Sequence, residues 1–169
     1  ALGDPELKHN LSLFFIAGHE TSAGALSSAV QLLADHPEAQ QKAYEEVRAA
    51  YAALPPGQEE LSYEQVCGLR YVKQVIQETL RYAPPAIGVM RQAAKDTVVG
   101  GYRVGKGTMV LANVQVMHHD PTNFPEPEKF LPERFDPESK TKQKRFSYSP
   151  FSMGPRQCLG NNFAMLEMR

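Results

Sequence analysis

Over residues 7–34 apolar side chains recur three or four positions apart, with Leu11, Phe14 and Phe15 in one half and Leu26, Val30 and Leu33 in the other. That spacing predicts a long helix. Alanine and glycine fill its remaining faces, so the helix is expected to be packed all round. Pro37, followed by Glu38, opens a second helix through residue 53, whose exposed face carries Lys42, Glu45, Glu46 and Arg48. Pro55-Pro56-Gly57 breaks it. Ser62 with Gln65 three residues on forms a capping box for a short helix. A further helix over residues 71–82 is stopped by Pro84-Pro85.

Beyond residue 89 the period changes. Val98-Val99, Tyr102, Val104 and Met109-Val110-Leu111 read as short strands, separated by Gly100-Gly101 and Gly105-Lys106-Gly107. Residues 120–150 hold six of the thirteen prolines and are irregular. Phe124, Phe130, Leu131, Phe135 and Phe146 are too apolar for a solvated linker, so an ordered meander is expected there. A last helix begins after residue 160, with Phe163, Leu166 and Met168 among good helix formers. The fold class is mainly α with a small antiparallel β region. Residues 1–169 form one domain, expected to be incomplete at both ends: it opens without a methionine and stops inside a periodic helix.

Composition narrows the function. A chain of 169 residues, 42% hydrophobic and 22% charged, builds an ordinary globular core. Its 18 basic and 19 acidic residues give a net charge of −1, so neither a nucleic-acid stripe nor an acidic tail is present. Two cysteines, Cys67 and Cys158, make no disulfide framework and fit a reducing compartment. Cys67 is expected to pack as a small hydrophobe. No run of 18 apolar residues exists to span a membrane.

Candidate chemistry is concentrated in residues 151–160, Phe151-Ser152-Met153-Gly154-Pro155-Arg156-Gln157-Cys158-Leu159-Gly160. Cys158 stands just before the last helix, where peptide dipoles favour a thiolate. Thiolate is a ligand suited to an iron centre. Gly154 and Gly160 lack a Cβ, which lets the loop turn sharply and its backbone approach a flat group. Arg156 offers a forked cation for a carboxylate. This F-x-x-G-x-R-x-C-x-G pattern resembles that of the cytochrome P-450 family, the haem-thiolate monooxygenases. Three further segments match the family in order: Ala17-Gly18-His19-Glu20-Thr21-Ser22, the Glu78-x-x-Arg81 pair, and Pro132-Glu133-Arg134-Phe135.

The resemblance implies the C-terminal part of the cytochrome P-450 fold and haem b as cofactor, with Cys158 as the axial ligand of iron. It implies that Arg156 and Arg91 contact the haem propionates, that Phe151 shields the thiolate, and that Gly154 and Gly160 shape the loop. It assigns oxygen and proton handling to Thr21 and Glu20, and a buried charge network to Glu78, Arg81 and Arg134. The implied partners are O2, a small apolar substrate beside Ile87, Gly88 and Val89, and a reductase or ferredoxin relaying electrons from NAD(P)H. The location implied is intracellular, with attachment to the endoplasmic reticulum through an N-terminal segment outside this chain. Alone, the chain is expected to be inactive. The intact Glu20-Thr21 pair argues against a peroxide-rearranging relative that uses no O2.

The residues themselves add further readings. A mid-helix threonine can bond back to the carbonyl four residues earlier, and with Gly18 nearby a local opening of the helix is expected. Glu78 and Arg81 share a helix face at i, i+3. His19-Glu20 begins an H-E-x-x-H motif, but residue 23 is alanine, so a zinc-protease reading fails. His118-His119-Asp120 read as loop residues beside Pro121 rather than metal ligands. Lys140, Lys142, Lys144 and Arg145 form a basic run that could steer an acidic redox partner.

Overall fold

Helix α4 (Arg70–Tyr82) is the hub of the computed structural model, which describes residues 3–139 and 143–169. Two earlier helices, α1 (Asp4–Asp35) and α2 (Pro37–Ala52), pack on it and on each other. Val75, Ile76 and Leu80 of α4 divide between two apolar clusters. One joins Ile76 and Leu80 to Ala25 and Met168; the other joins Val75 to Leu32, Ala39 and Phe130. Fully burying such a side chain stabilises the fold by about 1.5–3 kcal/mol.

The face of α1 that packs is not the one its large side chains suggest. Ser22, Ala25 and Leu32 are buried, whereas Leu11, Phe14, Phe15 and Ile16 are all more than half exposed. Small residues win the contact because they let α1 approach α4 closely. The expected all-round packing is not found: even where α1 meets α4, Leu26 and Val30 stay exposed. A second correction concerns Glu46, read as solvent-facing on α2. Its two carboxylate oxygens accept from the Tyr71 and Val72 N–H groups, each at 2.9 Å. Those are first-turn donors of α4, whose N-cap residue Leu69 supplies no side-chain cap.

Helix α3 (Tyr63–Gly68) starts from the expected capping box: Ser62 Oγ accepts from Gln65 N, and Ser62 N donates to Gln65 Oε1. No residue of α3 is buried, and Cys67 is exposed rather than packed. The strands form two separate antiparallel pairs, β1 (Gly88–Gln92) with β4 (Met109–Asn113) and β2 (Thr97–Val99) with β3 (Tyr102–Val104). Gly100 and Gly101 close the second pair at φ 57° and 86°, the left-handed values a tight hairpin needs. A short helix absent from the sequence reading, α5 (Val114–His118), follows β4 directly and is capped by Asn113 Oδ1. Five residues are too few to carry a helical period.

The meander is ordered, as its aromatic residues predict. Phe124 and Phe130 are buried, and a 3₁₀ turn spans Pro132–Phe135. Phe146 is the exception, lying exposed at φ 68°. What fixes the meander is a charge network at the end of α4. Glu78 and Arg81 are both 0% exposed and meet through two hydrogen bonds, Nε to Oε2 at 2.8 Å and Nη2 to Oε1 at 2.9 Å. Glu78 Oε1 also accepts from Leu131 N at 2.8 Å and from Arg134 Nε at 3.2 Å. One carboxylate faces two guanidiniums, and the excess positive charge is met by carbonyls. Arg81 donates to His118 O and Lys129 O; Arg134 donates to Pro125 O, Glu126 O and Lys129 O. A buried ion pair this fully hydrogen-bonded offsets its desolvation cost.

His118 corrects the loop reading, which holds for His119 and Asp120. It ends α5 and is fully buried, its ring 5.2 Å from Tyr148 in a stacked arrangement and 6.1 Å from Phe124 edge-on. Its Nε2 accepts from Ser149 N at 3.0 Å, which requires that nitrogen to be unprotonated. Burial pulls the imidazole down to about 4, and the Arg81 charge acts in the same direction.

Two outcomes follow from this core. Glu78→Ala strands two guanidiniums without their anion and should cost about 3–5 kcal/mol in denaturant unfolding. Lowering the pH should destabilise the fold between about 6.5 and about 4, because there the unfolded chain binds a proton at position 118 and the native state refuses it. Above that window both states are neutral at His118, and below it both are charged. The total loss is on the order of 1–3 kcal/mol, and His118→Gln should flatten that part of a stability-against-pH curve.

Candidate functional site

The cysteine loop runs from the meander into α6 (Asn161–Glu167). Its turns use left-handed backbone at Ser152, φ 61°, and Gly154, φ 76°. Gly154 then enters a 3₁₀ turn over Gly154–Arg156. Gly160 has an ordinary φ of −87° and nothing lies within 4 Å of where a Cβ would be, so neither backbone conformation nor packing against the described residues demands glycine there. The Cys158 N–H donates to the Phe151 carbonyl at 2.8 Å and closes the loop on itself. The Cys158 side chain is left exposed.

Next to the thiol in sequence the exposed side chains are mixed: apolar Met153, Leu159 and Phe163, polar Gln157 and Asn162, and one cation. Leu159 and Phe163 are 84% and 68% exposed. Arg156 is exposed too, and among the described residues it has neither an ion pair nor a hydrogen bond. Phe151 is half-buried and packs on the cluster of Ala25, Ile76, Leu80 and Met168. An exposed soft sulfur, an uncommitted guanidinium and exposed apolar side chains at Leu159 and Phe163 suit a largely apolar group with an acidic edge. Among the described residues no group of three His, Cys, Asp or Glu is placed to hold a bare metal ion.

Glu20 and Thr21 lie on α1, one turn before the buried contact at Ala25. Thr21 Oγ1 donates to Ala17 O at 2.7 Å, the back-bond expected of a threonine within a helix. The expected opening is absent: α1 runs unbroken through Gly18. Both side chains are exposed. Since Ala25 and Phe151 share one apolar cluster, the helix bearing Glu20 and Thr21 and the loop bearing Cys158 are held on the same side of α4.

Arg91 stands apart. It lies in β1 opposite Val110, exposed, and its Nη1 donates to the adjacent Met90 O at 2.8 Å. No contact links it to the cysteine loop among the described residues. Ile87 is exposed, while Gly88 and Val89 are half-buried in β1. Of the basic run, Lys140 and Lys142 lie outside the described residues; Lys144 and Arg145 are exposed, with Arg145 over the Phe146 ring at 4.6 Å. The residues that sequence reasoning missed are His118 and Tyr148. Tyr148 OH donates to Gln77 O at 3.0 Å, and burial pushes that phenol up. Only the aromatic density of residues 118–148 hinted at either.

Comparison with known proteins fits this arrangement. The cytochrome P450 family model matches residues 1–169. Human (Homo sapiens) cytochrome P450 3A7 is 39% identical over 169 residues, all of this chain and 33% of the relative. Pig (Sus scrofa) thromboxane-A synthase is 43% identical over 157 residues, 93% of this chain and 29% of the relative. The crystal structure of the cytochrome P450DA heme domain superposes with a TM-score of 0.86 at 32% identity, covering 99% of this chain and 36% of that one. The chain thus spans about a third of the length of the curated relatives it matches. With a family model covering every residue, and with the cysteine loop and the buried Glu78–Arg81 pair in place, the chain belongs to the cytochrome P450 family.

Proposed function

We propose that this chain is the thiolate-bearing part of a haem monooxygenase that inserts one oxygen atom of O2 into a small apolar organic substrate. The second oxygen leaves as water, with two protons taken from solvent and two electrons from NAD(P)H delivered by a reductase or ferredoxin. Haem b, when bound, supplies the oxygen activation, and a thiolate ligand favours O–O cleavage. The observation that carries the reading is the exposed Cys158 on a loop closed by its own backbone, beside an unpaired Arg156 and exposed Leu159 and Phe163.

In this reading Cys158 ligates the iron and Arg156 pairs with a propionate; Arg91 is the candidate for the second. Phe151 keeps water from the sulfur, and a dry surrounding sets how much charge the sulfur donates. Gly154 and Gly160 leave room for the ring. Thr21 is suited to orient a proton-bearing water, because its hydroxyl retains acceptor lone pairs while donating to Ala17 O. Glu20, exposed on the same helix, exchanges protons with solvent and passes them inward. Lys144 and Arg145, exposed in the meander shortly before the cysteine loop, would meet an acidic redox partner. Among the described residues no helix is long and apolar enough to cross a membrane; attachment to the endoplasmic reticulum would use a segment outside this chain.

Two measurements test this. Cys158→Ser should abolish the strongly red-shifted Soret band of the reduced, CO-bound protein, and an unchanged spectrum would remove Cys158 from the iron. Glu20→Gln and Thr21→Val should each lower product formation by about 100-fold or more while the spectrum stays intact. Product formed at the original rate without NAD(P)H consumption would instead identify a peroxide-rearranging enzyme.

A further inference from the structure

We propose that His118 is a positioning residue for the cysteine loop, tying the loop's first residues to the buried Glu78–Arg81 pair. The residue faces both ways. Its carbonyl accepts from Arg81 Nη1 at 3.1 Å, and its ring nitrogen Nε2 accepts from the Ser149 N–H at 3.0 Å. One residue therefore transfers the position of a rigid charge pair on α4 to the backbone at Ser149.

The ring has little freedom to do otherwise. Tyr148 stacks on it at 5.2 Å with the planes 22° apart, and Phe124 meets it edge-on at 6.1 Å. Tyr148 is itself held by its hydroxyl on Gln77 O of α4, and Phe135 packs on its ring at 4.7 Å. From Ser149 the path to the thiol is short. Ser149 O accepts from Ser152 N at 3.1 Å, and the next residue with a loop-closing role, Phe151, holds the Cys158 N–H at 2.8 Å.

The acceptor role fixes the chemistry of the ring. With Nε2 accepting, the proton of the neutral imidazole sits on Nδ1, which is buried and makes no well-formed hydrogen bond, having only weak backbone contacts with Leu80 and Arg81. A buried donor left unpaired is unfavourable, so something else keeps histidine there. Phenylalanine would stack as well and would bring no unpaired donor of its own, but it could not accept from Ser149, whose N–H would be left without a partner. The charged groups facing the ring are Arg81, whose guanidinium disfavours a second cation, and its neighbour His119; the Glu78 carboxylate is taken up by Arg81 and Arg134.

The test uses the haem-loaded protein, with hydrogen exchange at the Ser149 and Cys158 amides and the reduced, CO-bound spectrum as readouts. His118→Phe should speed exchange at Ser149 by about 10-fold or more and reduce the thiolate-ligated share of the spectrum. His118→Gln, whose side-chain oxygen can accept near the Nε2 position, should restore protection and spectrum toward those of the unsubstituted protein. A merely space-filling role predicts the reverse order, with phenylalanine the better substitute. A Ser149 amide that exchanges freely in the unsubstituted protein overturns the proposal even if no variant folds. The thiolate reading made above supports only the spectroscopic arm. Were Cys158 not the ligand, the unsubstituted protein would lack the red-shifted band while exchange at Ser149 still reported on His118.

Discussion

A carboxylate held between two guanidiniums in a dry interior leaves little room for adjustment, and the rest of this structure is arranged around that fact. Glu78 Oε1 receives three donors from three places: α4 itself, the Leu131 backbone and Arg134. Any of these moving away leaves charge uncompensated where water cannot reach it. The described part of the meander, which has little regular secondary structure, is therefore anchored to α4 by this side chain, with Phe130 packed beside it. Backbone carbonyls from residues 118, 125, 126 and 129 are drawn in to balance the remaining positive charge. Irregular backbone is thus ordered by satisfying cations rather than by ladders.

That ordering reaches the reactive loop through contacts that are neither charged nor apolar alone. Aromatic rings stack on an imidazole, a phenol bonds to a helix carbonyl, and amides close a small turn. The loop ends with its thiol exposed and its neighbouring arginine uncommitted. The loop is thus backed by a packed layer and presents exposed Leu159 and Phe163 with one charge free to find a counter-ion. The helix carrying Glu20 and Thr21 belongs to the same assembly because Ala25 and Phe151 meet the same residues of α4 and α6.

Much of this was legible in the linear sequence, but unevenly. Helix limits marked by proline and by the Ser62–Gln65 capping box were found within a residue or two, since those signals act locally. The cysteine loop and the Glu78–Arg81 pair could be located because their residue types sit at fixed offsets. The buried face of α1 was misjudged: large side chains dominate a periodic pattern, while close helix approach is decided by small ones such as Ser22 and Ala25. Glu46, Cys67 and His118 were misplaced for a related reason. Whether a polar side chain faces water or a neighbouring backbone depends on elements distant in sequence, and α4 lies 25 residues from the carboxylate that caps it. The short α5 had no period to read.

Glu46 also constrains how α4 can move. The helix is gripped at its first turn by a carboxylate from α2 and near its last by the arginine network. A cylinder clamped at both ends can neither roll about its axis nor slide along it without releasing one of the two grips. Breathing of the molecule must then be carried by the layers outside α4, leaving the stratum that supports the sulfur stationary.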